Sequence, residues 1–194
     1  GKIDLLLQES SLKEHTIKLL VSIEEATSRL SRINKSLLLL SKIENQQYIK
    51  TDTVALVPLI EKVKDLNQDT LDDKNIKVVC ELKGELFFTI NAELCFILIS
   101  NLIQNAIRHN IQNGQIYISI EDQTILIQNS GLSEPLNPVS IFERFEKKSS
   151  NTNSIGLGLA IVKEIAIANN ITIDYLYTNN RHQFSLFQNK GSNN

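Results

Sequence analysis

Between residues 12 and 47, Ile23, Ala26, Leu30, Ile33, Leu37 and Leu40 alternate spacings of three and four. This heptad seam predicts one long helix whose apolar stripe must pack against another helix. Glu24, Glu25, Arg29, Arg32 and Lys35 occupy the other faces, as a solvated helix surface requires. Upstream, Ile3 to Leu7 reads as the tail of an earlier helix, and Gln8-Glu9-Ser10-Ser11 as the turn between the two. A helix and a stub cannot bury the seam alone. A second copy of the chain is therefore implied, giving a homodimer through residues 12–47.

Beyond Asn45-Gln46-Gln47 the pattern changes. Residues 58–70 predict an amphipathic helix opened by Pro58. Ile76 to Leu82 and Leu86 to Ile90 are strand-like runs, and Lys83-Gly84-Glu85 between them predicts a hairpin. Residues 91–109 predict a strongly apolar helix. A strand pair follows around Asp122-Gln123, then a short helix over 139–145, a polar loop and a helix from Gly156 to Asn169. Ile171 to Tyr177 and His182 to Phe187 form a closing hairpin around Asn179-Asn180. Helices and hairpins mix without a βαβ rhythm. The expected class is α+β, an N-terminal helical hairpin segment followed by an α/β sandwich, a mixed sheet with helices on one face. The expected divisions are 1–47, 48–188 and a frayed tail over 189–194.

Composition excludes several classes of function. The formal net charge of −2 leaves no basic nucleic-acid footprint and no polybasic membrane patch. Cys80 and Cys95 lie in apolar runs and read as reduced core thiols. No Cys or His cluster has metal-ligand spacing. No signal peptide and no apolar stretch of transmembrane length are present. The sequence contains no methionine, even at its start, so a piece of a longer chain is expected.

Two stretches carry chemistry. In Ser154-Ile155-Gly156-Leu157-Gly158-Leu159-Ala160, glycines at alternate positions let backbone amides approach an anion. The helix starting there adds free N–H groups and the positive end of its dipole. No Lys-Ser/Thr follows the glycines, so this is not a Walker loop. The plainer reading is a flexible loop entering a helix. In Asn101-Leu102-Ile103-Gln104-Asn105-Ala106-Ile107-Arg108-His109-Asn110, Asn101 and Asn105 share one face of an apolar helix. Their amide oxygens are suitable hard ligands for a Mg²⁺ that bridges phosphates, and Arg108 projects near the same end. The plainer reading is structural amides bonded to neighbouring backbone.

Together these stretches resemble the histidine-kinase ATPase family, shared with gyrase, MutL and the large heat-shock chaperone. Asn101 to Asn110 resembles the family's asparagine box, and Ile127-Gln128-Asn129-Ser130-Gly131 its first glycine box. Phe142-Glu143-Arg144-Phe145 resembles the phenylalanine box, and Ser154 to Leu159 the second glycine box. Arg29-Leu30-Ser31-Arg32 through Ile43-Glu44 resembles the second helix of a kinase dimerisation hairpin, which favours a kinase over the gyrase-like relatives. The resemblance implies ATP and Mg²⁺ as cofactors, with Asn105 at the metal. Asn101, Arg108 and Lys147 would serve catalysis. Asn129, Gly131, Gly156, Leu157, Gly158 and Leu159 would hold the nucleotide. It also implies transfer of the γ-phosphoryl to a histidine and on to a response regulator. The fragment would be cytoplasmic, and its parent anchored in the bacterial inner membrane.

The sequence departs from the family pattern at several points. Asn129 stands where the family usually has an aspartate contacting the adenine amine. Ser154 replaces a glycine, and Glu146 replaces an aromatic in the lid. Leu132-Ser133-Glu134 follows Gly131 where a further glycine is usual. His15, His109 and His182 each read as an ordinary surface or packing histidine, so no phosphoacceptor histidine is expected in this chain, nor stable autophosphorylation. Two rivals remain: a relative that hydrolyses ATP, which a glutamate at position 101 would favour, and a dimer module whose nucleotide site has decayed.

Overall fold

The computed structural model describes residues 14–131, 134–146 and 155–189. The expected first-helix tail, Ile3 to Leu7, and its turn lie outside the described residues. The chain divides into two units, Gly1–Leu39 and Leu40–Asn194.

Helix α1, Glu14–Glu44, is the long helix that the heptad seam predicts. Its N-terminal part makes up the described portion of the first unit. There the seam is open to solvent, with Ile23 50% and Leu30 66% exposed. The last turn of α1 belongs to the second unit and buries Leu40 and Ile43. The helix stops where Gln46 turns left-handed at φ 53°. There the Gln46 and Gln47 N–H groups return to the carbonyls of Ile43 and Lys42, which satisfies the terminal acceptors.

The second unit contains two sheets. Strand β1 (Asp52–Ala55) pairs antiparallel with β3 (Phe87–Ile90). The larger sheet has the order β2-β4-β5-β7-β6, from Lys77–Leu82, Gln115–Glu121, Thr124–Ser130, Arg181–Gln188 and Ile171–Thr178. Strands β2 and β4 run parallel and the other pairs antiparallel, so the sheet is mixed as expected. The Gln188 side chain ties the two sheets together, accepting from Thr89 N–H at 2.7 Å and donating to its carbonyl at 2.8 Å.

Period-two burial sets the inner face of the larger sheet. Ile116, Ile118 and Ile120 of β4, Ile125 and Ile127 of β5, and Phe184 and Leu186 of β7 all point into the core. Helix α4, Ala92–Arg108, buries an apolar stripe between this layer and helix α5, Gly158–Ala168. Asn91 caps α4 by accepting from the Glu93 and Leu94 N–H groups. The hairpins at Asp122-Gln123 and Asn179-Asn180 close as expected. All four residues have positive φ, the mirror-image two-residue turn that matches strand twist.

Three local expectations are corrected, and one strand is added. Lys83-Gly84-Glu85 joins no hairpin, because β3 pairs with β1 while β2 pairs with β4. Strand β1 itself has no counterpart among the sequence expectations. The 58–70 helix is two helices, α2 (Leu56–Asp65) and α3 (Gln68–Asp73). Pro58 sits in the first turn of α2, where no intrahelical donor is lost. Residues 139–145 form turns, not a helix. There Phe142 packs edge-on against Phe184 at 6.3 Å, so a core contact and not a helical ladder orders the segment.

Candidate functional site

Helices α4 and α5 meet at the two motifs the sequence singled out. Asn101 lies half-buried on α4, its Nδ2 donating to the Ile97 carbonyl at 2.8 Å. Its Oδ1 faces the first residue of α5, and a methyl placed on Gly158 would lie 2.9 Å from that oxygen. An alanine there would push the Asn101 amide aside. Asn105, one turn on, is half-buried, and among the described residues its amide has no hydrogen-bond partner. No buried polar side-chain atom of the described residues lacks a partner, so that amide opens to solvent. The plainer reading of the two asparagines thus fits Asn101 and not Asn105.

Helix α5 begins without a side-chain cap: Leu157 holds the cap position, and the first returning bond runs from Ile161 N–H to the Leu157 carbonyl. The N–H groups of Gly158, Leu159 and Ala160 therefore lack intrahelical partners. With the helix dipole, they are donors from which an anion could accept, next to Asn101. Leu157 is buried and anchors the turn.

Gly156 has φ +77°, and a methyl on it would come within 2.8 Å of the Glu146 carbonyl oxygen and the Phe145 carbonyl carbon. The Phe145 N–H donates to the Gly156 carbonyl at 2.7 Å, joining the backbone of the two positions. Phe145 itself has φ 65°, a conformation unfavourable for a bulky residue and so maintained by its surroundings. Arg144 pairs with Glu44, and Lys163 lies 3.5 Å from Glu143, so the phenylalanine box is tied to the end of α1 and to α5. Glu146 accepts from the Ser140 hydroxyl at 3.1 Å. Lys147 and Ser154 lie outside the described residues.

Asn129 is 2% exposed on the inner face of β5, and its Nδ2 donates to the Ser130 carbonyl at 2.8 Å. The Ser130 hydroxyl receives the Gln115 N–H at 2.7 Å and donates to Asn110 Oδ1 at 2.8 Å. Asn110, the last residue of the asparagine box, thus braces the first glycine box. Gly131 is pressed between His182 and the His109 carbonyl. Arg108 ends α4 on the surface. The Lys74 ammonium caps the same helix end, donating to the Ile107 carbonyl at 2.9 Å and the Arg108 carbonyl at 3.3 Å. Burial first, then the positive charges of Arg108 and Lys74, push the His109 pKa down. His15 is exposed in the first turn of α1, whereas His182 is 7% exposed on β7. Its burial was legible from its alternation with Phe184 and Leu186. The Glu44–Arg144 pair left no signal in the sequence.

Among the described residues no group of His, Cys, Asp and Glu could hold a metal, and no helix is long and apolar enough to cross a membrane. Cys80 and Cys95 are free thiols, and burial pushes Cys95 up to about 12.

Residues 91–191 match the family model described as histidine kinase-, DNA gyrase B-, and HSP90-like ATPase. The chain is 32% identical over 179 residues to the heme sensor protein HssS of Staphylococcus aureus, covering 89% of this chain and 39% of that one. It therefore spans about two fifths of the length of the curated relatives it matches. The solved histidine kinase AdeS of Acinetobacter baumannii superposes with a TM-score of 0.68 at 24% identity, over 94% of this chain and 87% of that one. The histidine kinase ThkA in complex with the response regulator protein TrrA superposes with a TM-score of 0.65 at 21% identity, over 95% of this chain and 53% of that one.

Proposed function

The chain belongs to the histidine kinase-, DNA gyrase B-, and HSP90-like ATPase family, and we propose that it is the ATP-binding catalytic part of a sensor histidine kinase. In this reading residues 48–188 bind ATP, and residues 12–47 join two copies through the seam. The complete protein transfers the γ-phosphoryl of ATP to a histidine outside this chain and then to a response regulator. The fragment works in the cytoplasm of a membrane-anchored parent.

The observation that carries this reading is the contact between Asn101 on α4 and Gly158 at the start of α5. It sets a row of backbone donors without intrahelical partners against the helix that carries the open amide of Asn105. The donors bind phosphate oxygens. Asn105, with its free oxygen, would hold Mg²⁺, which when bound supplies screening of the phosphate charge. Arg108 and Lys147 add positive charge for the transferring group. Phosphoryl transfer depends mostly on such positioning and charge stabilisation. Asn129 presents its amide to the base.

Hydrolysis is the weaker alternative. The Asn101 amide is not a base, and its Nδ2 is already bonded to the Ile97 carbonyl at 2.8 Å. Calorimetric titration with Mg·ATP tests the nucleotide site. Labelled phosphate moving from ATP to a supplied helical hairpin that carries the parental histidine tests the transfer. No binding would leave the decayed-module reading in possession. Binding with release of free phosphate and no transfer would favour the ATPase.

A further inference from the structure

Asn129 and His182 are the buried polar residues among those described, and they are direct cross-strand partners on β5 and β7. The function proposed above uses Asn129 and leaves His182 without a role. Yet the imidazole is held on several sides. Its Nδ1 lies 2.8 Å from the Tyr175 hydroxyl, and the rings of Tyr175 and Tyr177 lie 6.1 and 5.0 Å away. On the remaining flank, a methyl on Gly131 would sit 2.8 Å from Cδ2 and 3.0 Å from Nε2.

The Tyr175 hydroxyl links this group to the backbone. Its oxygen accepts the Leu136 N–H at 3.0 Å and still has a lone pair and a hydrogen to share with Nδ1 of His182. Which of the two donates depends on the tautomer of the ring. A relay therefore runs from the Leu136 backbone through Tyr175 to His182, which abuts Gly131 and lies opposite Asn129. The β5–β7 ladder ends at Ser130 paired with Arg181, so strand pairing no longer constrains the backbone at Gly131. The relay takes over where the ladder stops.

We propose that His182, held by Tyr175, is a positioning residue of the nucleotide site: it fixes Gly131 and Leu136, and through them the base-side wall that carries Asn129. This rests on the reading of Asn129 and Gly131 as nucleotide-binding residues. Of the packing against Gly131 and the hydrogen bond to Tyr175, the role turns on the second. A phenylalanine would supply only the first.

The test uses the full chain and three variants: Tyr175→Phe, His182→Phe and His182→Asn. Mg·ATP affinity is measured by calorimetry, and the tautomer of His182 by long-range proton–nitrogen NMR. Tyr175→Phe is expected to change the ring-nitrogen signals of His182, because it removes the partner of Nδ1. Tyr175→Phe and His182→Phe are each expected to weaken ATP binding about tenfold, a change of ~1.4 kcal/mol. His182→Asn places an amide oxygen near the old Nδ1 and is expected to recover most of the affinity. Unchanged affinity in both phenylalanine variants overturns the inference, as does a His182→Asn variant as weak as His182→Phe. Where His182→Phe fails to fold, Tyr175→Phe decides, since it keeps the ring that packs 5.2 Å from Phe184. A wild type that does not bind Mg·ATP would instead sink the nucleotide reading itself and this inference with it. Affinity lost only in the variants separates the two.

Discussion

Replacing Asn129 with aspartate sets two effects against each other, and pH decides between them. Asn129 is 2% exposed, and its Nδ2 donates to the Ser130 carbonyl at 2.8 Å. In its ionised form the N129D variant would set a carboxylate oxygen against that carbonyl, losing a hydrogen bond worth about 1 kcal/mol and burying a charge. The folded protein therefore favours the protonated acid, whose hydroxyl restores the bond, and its pKa rises above the usual value. For an acid with a raised folded pKa, the folded state holds more protons than the unfolded one. Stability is then greatest at low pH and falls as pH rises through the folded pKa. Binding runs the other way. The protonated acid offers the adenine amine a neutral carbonyl, much as asparagine does. The ionised form offers a charged acceptor, roughly twice as strong, worth ~1 kcal/mol or about fivefold in affinity. We expect N129D to bind ATP like wild type at low pH and about fivefold more tightly at high pH. It should lose affinity for GTP, whose carbonyl the amide can face with a donor and a carboxylate cannot. Calorimetric titrations of both nucleotides on both proteins, with thermal unfolding at each pH, measure all three effects. Equal ATP affinity and equal base preference at every pH would show that Asn129 does not read the base.

Other perturbations follow from the same geometry. Asn105→Ala should weaken ATP binding mainly in the presence of Mg²⁺, because its open amide acts through the metal; equal loss with and without Mg²⁺ in a titration would make the residue structural. Gly156→Ala should lower stability by about 1–3 kcal/mol, since the methyl meets backbone atoms 2.8 Å away at φ +77°, and thermal unfolding reads this directly. Leu30→Asp with Leu37→Asp should leave a monomer by sedimentation, and a wild type already monomeric at high concentration would refute the interface. His109 has a lowered pKa, so its contribution is complete above the ordinary histidine value of about 6.5 and is lost as pH falls below it. His109→Gln should therefore flatten the acid side of the unfolding midpoint against pH.

What was legible in the sequence was what local pattern encodes. The seam of α1, the apolar run of α4 and the two left-handed turns at Asp122-Gln123 and Asn179-Asn180 each carry their signal within a few residues. Strand partnership does not. Gly84 is a real turn glycine, at φ 84°, yet the chain leaves that turn toward β1, a four-residue strand too short to announce itself. Period two says which residues are buried and is silent on which strand lies alongside. The site divides in the same way. Asn101 and Gly158 were each marked by residue type and spacing, but their contact joins two helices far apart in the chain. No spacing rule shows that a methyl on one would strike the amide of the other. The bracing of Ser130 by Asn110 and the tie from Arg144 to Glu44 are likewise products of tertiary packing, written in no single window.

Position 101 bears on what kind of nucleophile the site can serve. Water must lose a proton to attack phosphorus efficiently, and it needs a nearby base to take it. Asn101 is an amide with its donor engaged by Ile97 and its oxygen turned to Gly158. An imidazole has no such need. With an ordinary pKa near 6.5 it is largely neutral at physiological pH, and its unprotonated nitrogen already carries the lone pair that attacks. On the function proposed above, a site with phosphate-binding amides and an open metal-ligating amide, but no base at position 101, is therefore matched to a nucleophile that arrives ready. The close approach of Gly158 that builds the anion site also packs the Asn101 amide in place. A glutamate there would bring both a longer side chain into that contact and a negative charge beside the donors that hold phosphate. If the start of α5 holds ATP as proposed, the same geometry thus disfavours the substitution that would turn transfer into hydrolysis.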